Sequence, residues 1–247
     1  MNARNPPVGD FRKILEGISH QHDTRRVFDA FIRLAACCLA AQTREAEYLE
    51  ETKRWEKADL DLFAQALGAL ILEMESHPFE DILGGYYMEF ALSTKGQQWN
   101  GEFHTPKNIS DMMAKITLGG MESLPADGPI TVCEPACGAG AMILSVGEAC
   151  PPEGRRRLRV TAIDINRTAC DMTFVNTTLW GIPTRVLHGD SLSQKYWAAW
   201  SNIHYIAPWL PLALRNQTPE ASEQGQPPKP AEVERIAVSL GQQELAF

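Results

Sequence analysis

Apolar residues over the first third of the chain recur at three- and four-residue spacing, the periodicity of a helix with one buried face. The segments 23–40 and 58–74 carry this stripe most clearly, and the charged stretch 43–57 between them is typical of a solvated helix. A further short helix begins after Pro78, and we expect Gly84-Gly85 to interrupt it. The pattern therefore predicts a bundle of four or five helices before residue 93.

The pattern changes near Ser93, where short apolar runs begin to alternate with helical ones. The apolar runs are ITVCEPA (130–136), RLRVTAIDI (157–165), TRVLHGDSL (184–192) and NIHYIAPWL (202–210). Strands that alternate with helices indicate a parallel sheet built from βαβ units. After Arg215 the chain is rich in Pro, Gln and Glu, which predicts a disordered tail. The predicted parts are a helical domain (1–92), an α/β domain (93–215) and the tail (216–247).

Charge and composition narrow the classes of function. The 247 residues include 23 Lys and Arg against 31 Asp and Glu, a net charge of -8, which argues against a chain that binds nucleic acid alone over a broad surface. A nucleic-acid enzyme that depends on a partner for binding stays open. No apolar run approaches the roughly 18 residues of a membrane span, and the first residues lack the apolar core of a signal peptide. The six cysteines lack zinc-type spacing, so we expect free, buried thiols, no metal site and a cytoplasmic location.

The strongest local motif is a glycine-rich turn between a strand and a helix. The strand ends at Glu134, and the turn Pro135-Ala136-Cys137-Gly138-Ala139-Gly140 follows before the helix begins. Glycines let a backbone approach a ligand closely, and the first turn of a helix offers unpaired N–H groups. A glycine-rich turn also occurs as an ordinary tight turn, so the motif alone does not establish a binding site.

The next two predicted strands also end in acids, Asp164 and Asp190. With Glu134 they place three carboxylates at the carboxyl edge of the sheet, where α/β proteins bind ligands. Three acids suit a ligand that carries positive charge and hydroxyls, such as S-adenosylmethionine, better than they suit a pyrophosphate. The alternatives are helix capping for Asp164 and turn formation for Asp190.

Four motifs in register resemble those of adenine-N6 DNA methyltransferases, and specifically the methylation subunits of type I restriction–modification systems. EPACGAGAM (134–142) resembles their methionine-side motif, and GEFHTPK (101–107) resembles the G-x-F-x-T-P segment that precedes it. AIDIN (162–166) and HGDSL (188–192) are similar to the second and third motifs. The resemblance implies a Rossmann-like adenosylmethionine-dependent methyltransferase sheet with an N-terminal helical domain, and S-adenosyl-L-methionine as the cofactor. The few residues between Trp209 and the predicted tail depart from the family and predict a shortened sheet of about four strands.

The resemblance also implies which residues bind the cofactor: Phe103, Thr105, Pro106, Glu134, Pro135, Ala136, Cys137, Gly138, Gly140, Asp164, Ile165, Asp190 and Ser191. In these relatives the segment at Phe103 walls the methionine end, and the acid at Glu134 receives the α-amino group. The acid at Asp164 holds the ribose hydroxyls, Ile165 packs on the adenine ring, and Asp190 borders the adenine.

The fourth motif departs from the family pattern. Members end their fourth strand with Asn or Asp, then Pro-Pro and an aromatic residue, and these groups accept the target amine and stack on the flipped base. Here the corresponding residues are Ile206-Ala207-Pro208-Trp209, so Pro208 and Trp209 are the remaining catalytic candidates and the acceptor side chain is missing. Trp209 has an alternative role as a core tryptophan.

The sequence supports two hypotheses for the function, an enzyme and a non-catalytic binding protein. One is an adenine-N6 DNA methyltransferase that reaches DNA through a separate specificity partner. The other is a catalytically inactive, adenosylmethionine-binding relic that acts as a regulator, decoy or assembly component in restriction–modification or mobile-element biology. A methyltransferase of RNA or protein is a third option, and self-association into a homo-oligomer stays open. The cluster Arg155-Arg156-Arg157 with Arg159 is predicted to be a solvated loop at the amino edge of the sheet, with a phosphate contact as the alternative.

Overall fold

A computed structural model describes residues 10–19, 22–40, 43–93, 105–119 and 127–207. By contacts the chain divides into Met1–Trp209 and Leu210–Phe247, and every described residue belongs to the first unit. The predicted tail, 216–247, lies outside the described residues. The helices are α1 (Phe11–Ser19), α2 (Thr24–Leu39), α3 (Glu45–Thr52), α4 (Lys57–Ser76), α5 (Ile82–Ser93), α6 (Lys107–Leu118), α7 (Ala141–Ala149), α8 (Pro152–Arg157), α9 (Arg167–Leu179) and α10 (Ile203–Ile206). The strands are β1 (Ile130–Glu134), β2 (Leu158–Asp164), β3 (Thr184–Asp190) and β4 (Lys195–Ser201).

Helices α1 to α5 form the predicted helical region, whose buried faces meet through aromatic side chains. These include Phe11, Phe28, Phe31, Phe63, Tyr87 and Phe90. The prediction of a helix interrupted at Gly84-Gly85 is wrong, because α5 runs through both glycines. Asp81 directly precedes the helix, and its Oδ1 accepts a hydrogen bond from the Gly84 N–H (2.9 Å). Burial of Leu83, Tyr87 and Phe90 stabilises the helix by more than the low helix propensity of glycine costs.

The α/β region is a four-stranded sheet in the order β1-β2-β3-β4. The predicted parallel pairing is confirmed for β1, β2 and β3, whose carboxyl ends carry Glu134, Asp164 and Asp190 at one edge. Helix α9 contacts α2 and α5 of the helical region as well as β2 and β3, and it is buried throughout 169–178. The predicted α/β class with an N-terminal helical region is therefore confirmed.

The fourth strand differs from the prediction in place and in direction. It is β4, which runs antiparallel to β3, and the predicted strand over 202–210 instead begins with the short helix α10, capped by Asn202. A tight turn reverses the chain after Asp190, and a bulge at Gly189 brings β4 so close that a Cβ there would lie 2.3 Å from the Lys195 carbonyl oxygen. Only glycine fits at that position.

The direction of β4 carries the chain away from the carboxyl edge. Lys195 pairs with Asp190 at that edge, whereas Ser201 pairs with Arg185 near the start of β3. Seven strand residues span about 20 Å at the usual rise. Helix α10 lies at the amino edge of the sheet, where His204 Nε2 is 3.1 Å from the Thr178 carbonyl oxygen and the Arg159 guanidinium is 5.9 Å from the Tyr205 ring centroid. Ala207, the last described residue, is the C-cap of α10, and its N–H donates to the Ile203 carbonyl (2.9 Å).

The basic cluster forms the short helix α8 and the start of β2, so the predicted loop is wrong, although its position at the amino edge is confirmed. Arg155 Nε donates to the Gly147 carbonyl (2.7 Å), and its guanidinium lies 4.4 Å from the Phe79 ring centroid. Arg157 Nε donates to the Gly128 carbonyl (2.8 Å). These arginines hold backbone carbonyls, so the structure gives them a stabilising role.

The six cysteines are free, as predicted, but the prediction that they are buried is wrong for two of them. Cys37, Cys137, Cys150 and Cys170 are buried, whereas Cys38 and Cys133 are exposed. Within the described ranges, no helix is both long and apolar enough to cross a membrane.

Candidate functional site

The glycine-rich turn and two of the predicted acids meet at the carboxyl edge of the sheet. Glu134 ends β1 and Asp164 ends the neighbouring β2. Asp164 Oδ2 accepts a hydrogen bond from the Gly138 N–H (2.8 Å), so the carboxylate lies directly against the turn. The structure therefore brings together Glu134, Gly138 and Asp164, as the sequence predicts.

The backbone of the turn has the conformation that its glycines allow. Gly138 has φ +54° and Gly140 has φ +94°, a region that L side chains rarely adopt. The Gly140 N–H donates to the Cys137 carbonyl (2.8 Å), and the Cys137 N–H donates to the Ile163 carbonyl (2.9 Å). The turn is thus closed on itself and fastened to β2 before α7 begins.

Helix α9 holds the other side of the turn through two side chains. Thr173 Oγ1 donates to the Gly138 carbonyl (2.8 Å), and Asn176 Nδ2 donates to the Ala139 carbonyl (2.8 Å). A Cβ on Gly140 would lie 3.2 Å from Thr173 Oγ1, so α9 approaches the turn as closely as glycine permits. These contacts preorganise the turn without using a ligand.

Glu134 is half-buried, and this position disfavours the charged form of its carboxyl group. Burial raises the pKa of this carboxyl, the nearby Asp164 raises it further, and a hydrogen bond from the Ala136 N–H (3.2 Å) partly offsets both effects. A cationic group placed beside Glu134 would relieve this cost. Pro135 and Ala136, the first residues of the turn, are exposed, and Cys137 is buried.

Thr105 and Pro106 lie at the start of α6, which docks on α7. Ser145 Oγ donates to Asp111 Oδ1 (2.6 Å), and Lys107 bridges Asp111 and Glu148. Thr105 and Pro106 line a cavity of about 330 Å³ together with Ala141, the first residue of α7. The segment that the resemblance assigns to the methionine end therefore reaches the helix that follows the glycine turn.

Asp190 and Ser191 begin the β3–β4 turn. Asp190 Oδ1 accepts hydrogen bonds from the Leu192 N–H (2.9 Å) and the Ser193 N–H (3.3 Å). Hydrogen bonds from the Ser193 side chain and from these two N–H groups lower the pKa of Asp190. The turn role weighed for Asp190 is thus present, whereas the capping role weighed for Asp164 belongs to Asn166, the N-cap of α9.

The side of the site beyond Asp164 is formed by Ile165 and His188. Ile165 directly follows Asp164 and is 65% exposed, so its apolar side chain is available to a ligand. His188 pairs with Asp164 in the sheet register, and its Nε2 lies 3.2 Å from the Ile165 carbonyl oxygen. Burial lowers the pKa of His188, which favours the neutral ring.

Sequence reasoning missed the residues that fasten the site. Asn166 lies between a predicted strand and a predicted helix, the usual place of an N-cap, so its capping role could have been predicted from the sequence. Thr173 and Asn176 gave no such indication, because polar residues inside a helix are ordinarily assigned to its solvent face. Phe103, Pro208 and Trp209 lie outside the described residues.

Comparison with known proteins adds a family match. The sequence model of one protein family, described as N-6 DNA Methylase, matches residues 78–232, which is more than half of the chain. A curated relative, the Type I restriction enzyme MpnII methylase subunit of Mycoplasma pneumoniae, is 29% identical over 143 residues, which cover 54% of this chain and 24% of the relative. The chain thus spans about a quarter of the length of that relative.

Two solved structures are similar at low identity. A Listeria monocytogenes protein described as a class I S-adenosylmethionine-dependent methyltransferase is 16% identical with a TM-score of 0.45, over 75% of this chain and 54% of that one. The type I restriction-modification system methyltransferase subunit from Streptococcus thermophilus is 17% identical with a TM-score of 0.42, over 75% and 40% of the two chains. The interpretation of the site rests on the family match and on the contacts described above.

Proposed function

The chain belongs to the N-6 DNA methylase family, and from this premise we propose that it is the adenosylmethionine-binding part of a DNA adenine-N6 methyltransferase of the type I restriction–modification kind. The family membership makes S-adenosyl-L-methionine the cofactor. The proposed enzyme reaches DNA through a separate specificity partner, because a net charge of -8 leaves little for phosphate binding by this chain alone. The cytoplasmic location and any homo-oligomer stay predictions.

The observation that carries this proposal is the arrangement of Glu134, the glycine turn and Asp164. Two carboxylates on neighbouring strands flank a backbone turn in which Gly138 and Gly140 have positive φ, and Glu134 is placed where a cation would relieve the cost of its charge. S-adenosylmethionine carries an ammonium, a sulfonium and a ribose diol, which match carboxylate acceptors. When bound, this cofactor supplies an electrophilic methyl group.

Each remaining residue has a proposed role at this cofactor. Asp164 accepts from the ribose hydroxyls, and Glu134 accepts from the α-ammonium group. Thr105 and Pro106, with Phe103, wall the methionine end. The backbone of the turn from Pro135 to Gly140 lies against the cofactor, and the adenine ring packs between Ile165 and the turn that begins at Asp190-Ser191.

A specific observation favours a second candidate, the non-catalytic adenosylmethionine-binding protein. Helix α10, whose C-cap residue Ala207 directly precedes Pro208 in the sequence, lies at the amino edge of the sheet, whereas Asp164 lies at the carboxyl edge. Asn202 is fully buried: it donates to the Ile182 carbonyl (2.8 Å) and accepts from the Thr184 N–H (3.2 Å), so it cannot accept a target amine. Asn202 therefore does not replace the missing acceptor of the fourth motif.

A binding experiment tests the shared basis of both candidates. We expect calorimetric titration of the full chain to show binding of S-adenosylmethionine, and Asp164→Ala to weaken it by at least about ten-fold because the ribose hydroxyls lose their acceptor. Asp61→Ala removes an exposed acid of α4 and serves as the matched control, with binding unchanged. Absence of binding by the wild-type chain at high ligand concentration would end both candidates.

A transfer experiment separates the candidates. The chain is incubated with methyl-labelled cofactor and DNA, with and without the specificity subunit of a type I system. Label in DNA that depends on that subunit, and that Trp209→Ala removes, supports the methyltransferase. Cofactor binding without transfer to DNA under either condition supports the non-catalytic protein.

A further inference from the structure

We infer that Tyr87 of helix α5 is a positioning residue for the ribose-binding acid, so that the helical region sets the geometry of the cofactor site. The inference rests on the proposed function, since it assigns a role toward the cofactor proposed above. It is carried by a path of hydrogen bonds that begins at Tyr87, passes through Asn166 and Asp164, and ends at Gly138.

The path starts from a buried hydroxyl in the helical region. The Tyr87 side chain is only 3% exposed, and its hydroxyl oxygen accepts hydrogen bonds from Arg25 Nη2 (2.7 Å) and from Asn166 Nδ2 (3.1 Å). The Arg25 guanidinium also lies over the Tyr87 ring, 4.7 Å from its centroid. The helical region thus contacts Asn166, the second residue after β2 and the N-cap of α9.

Asn166 connects Tyr87 to two further groups, the first turn of α9 and the Asp164 carboxylate. Its Oδ1 caps α9 by accepting from the Thr168 N–H (2.9 Å) and the Ala169 N–H (3.4 Å). Its own backbone N–H donates to Asp164 Oδ1 (2.8 Å). The orientation of the Asn166 amide group therefore fixes the peptide unit that holds one oxygen of the Asp164 carboxylate.

The second oxygen of the same carboxylate holds the turn. Asp164 Oδ2 accepts from the Gly138 N–H (2.8 Å), so both carboxylate oxygens are oriented by backbone N–H groups. A carboxylate that must accept from two adjacent ribose hydroxyls is effective only in one orientation, with its remaining lone pairs toward the diol. Tyr87 contributes to that orientation from outside the sheet.

The substitution Tyr87→Phe isolates the hydroxyl, because the ring keeps its contacts with Phe28 and Arg25. The chain offers a matched control in the adjacent residue. Tyr86 is on the same helix, and its hydroxyl donates to Glu73 Oε1 (3.0 Å), within the helical region. Tyr86→Phe therefore removes a tyrosine hydroxyl that has no contact with Asn166.

The test pairs these variants with two ligands, S-adenosylhomocysteine and its 2′,3′-dideoxy analogue, whose affinities are measured by calorimetry. We expect Tyr87→Phe to weaken S-adenosylhomocysteine binding about five-fold, the effect of one lost hydrogen bond on a positioned group, and to leave binding of the dideoxy analogue unchanged. Tyr86→Phe is expected to bind both ligands as the wild type does. A general effect on folding would weaken binding of both ligands, so a loss of affinity limited to the ligand with ribose hydroxyls indicates a role in positioning.

Two further results would overturn the inference in distinguishable ways. If the wild-type chain binds neither ligand, the proposed function itself fails. If the wild-type chain binds but Tyr87→Phe is unchanged, or weakens both ligands equally, only the role of Tyr87 is overturned. Asn166→Ser, which keeps a capping hydroxyl but no longer reaches Tyr87, provides a second variant: its loss should equal that of Tyr87→Phe, and the double variant should lose no more.

Discussion

At the scale of the residue, Glu134 is the clearest case of a side chain whose environment differs from what a free carboxylate prefers. Burial and the neighbouring Asp164 both raise its pKa above the ordinary 4.5, against one hydrogen bond from the backbone. A structural acid with no ligand would gain nothing from this position. The raised pKa is therefore consistent with a residue that is placed to receive a cation.

The raised pKa of Glu134 leads to a prediction about pH. The ammonium group of the cofactor favours the charged carboxylate, so binding lowers the pKa of Glu134 and is coupled to loss of its proton. Affinity is then fully present above the pKa of the free chain and is lost as the pH falls through it. We expect the Kd for S-adenosylmethionine, measured between neutral and mildly acidic pH, to rise on acidification.

Glu134→Gln is the variant that checks this assignment. It is expected to bind more weakly at neutral pH and to show a shallower rise in Kd on acidification, because the amide has no proton to gain. Parallel pH profiles for the wild type and Glu134→Gln would show that another group carries the pH dependence.

At the scale of the element, the glycine turn and helix α9 act as one unit. Thr173 and Asn176 hold two successive carbonyls of the turn, and these residues lie in the interior of a helix that is buried throughout 169–178. Polar side chains are tolerated there because each has a backbone acceptor. The turn can present its backbone to a ligand because α9 fixes its other side.

Gly138 and Gly140 give a matched pair of substitutions in this unit. An alanine at either position adopts a positive φ, at a cost of about 1–2 kcal/mol. At Gly140 the new Cβ also lies 3.2 Å from Thr173 Oγ1, whereas at Gly138 nothing lies within 4 Å. We expect urea denaturation without cofactor to show a larger loss of stability for Gly140→Ala than for Gly138→Ala. Equal losses would mean that α9 moves aside at no cost.

At the scale of the whole described molecule, a buried ion cluster joins the helical region to the α/β region. Asp171 of α9 is 1% exposed; it accepts a hydrogen bond from Arg33 Nε of α2 (2.5 Å) and forms an ion pair with Arg44, whose Nη2 lies 2.9 Å from Asp171 Oδ1. Arg44 and Arg167 both lie over the ring of Trp200 on β4. Asp171 also pairs with Arg167 of α9 (3.4 Å), and Glu47 of α3 pairs with both Arg44 and Arg167, so the cluster holds carboxylates and arginines of both regions.

Asp171→Asn is expected to destabilise the chain by about 1.5–3 kcal/mol, because Arg33 and Arg44 lose a buried charged partner, although Arg44 keeps its ion pair with Glu47. The free energy of unfolding from urea denaturation measures this loss. The control is Glu50→Gln, which removes one partner of an exposed pair with Lys53 and should leave the unfolding midpoint in place. A small effect of Asp171→Asn would show that the cluster contributes little to joining the two regions.

Local pattern along the chain was enough to identify the helices before residue 93, the first three strands and the acids Glu134 and Asp164. The reason is that burial periodicity and strand ends are properties of neighbouring residues, and parallel strands bring their carboxyl ends to one edge. The glycine turn could be predicted for the same reason, since its conformation depends on the residue types within it.

The folded chain was needed for the direction of β4 and for the contacts that fasten the site. Strand direction depends on the close approach at Gly189, which no apolar run reveals, and it places α10 at the amino edge. The partners of the turn lie 35 and 37 residues away in the chain, and the bond from Asn166 to Tyr87 spans 79 residues. Such contacts arise only when α9 is enclosed between the sheet and the helical region, because tertiary packing, not local propensity, decides which polar side chains find buried acceptors.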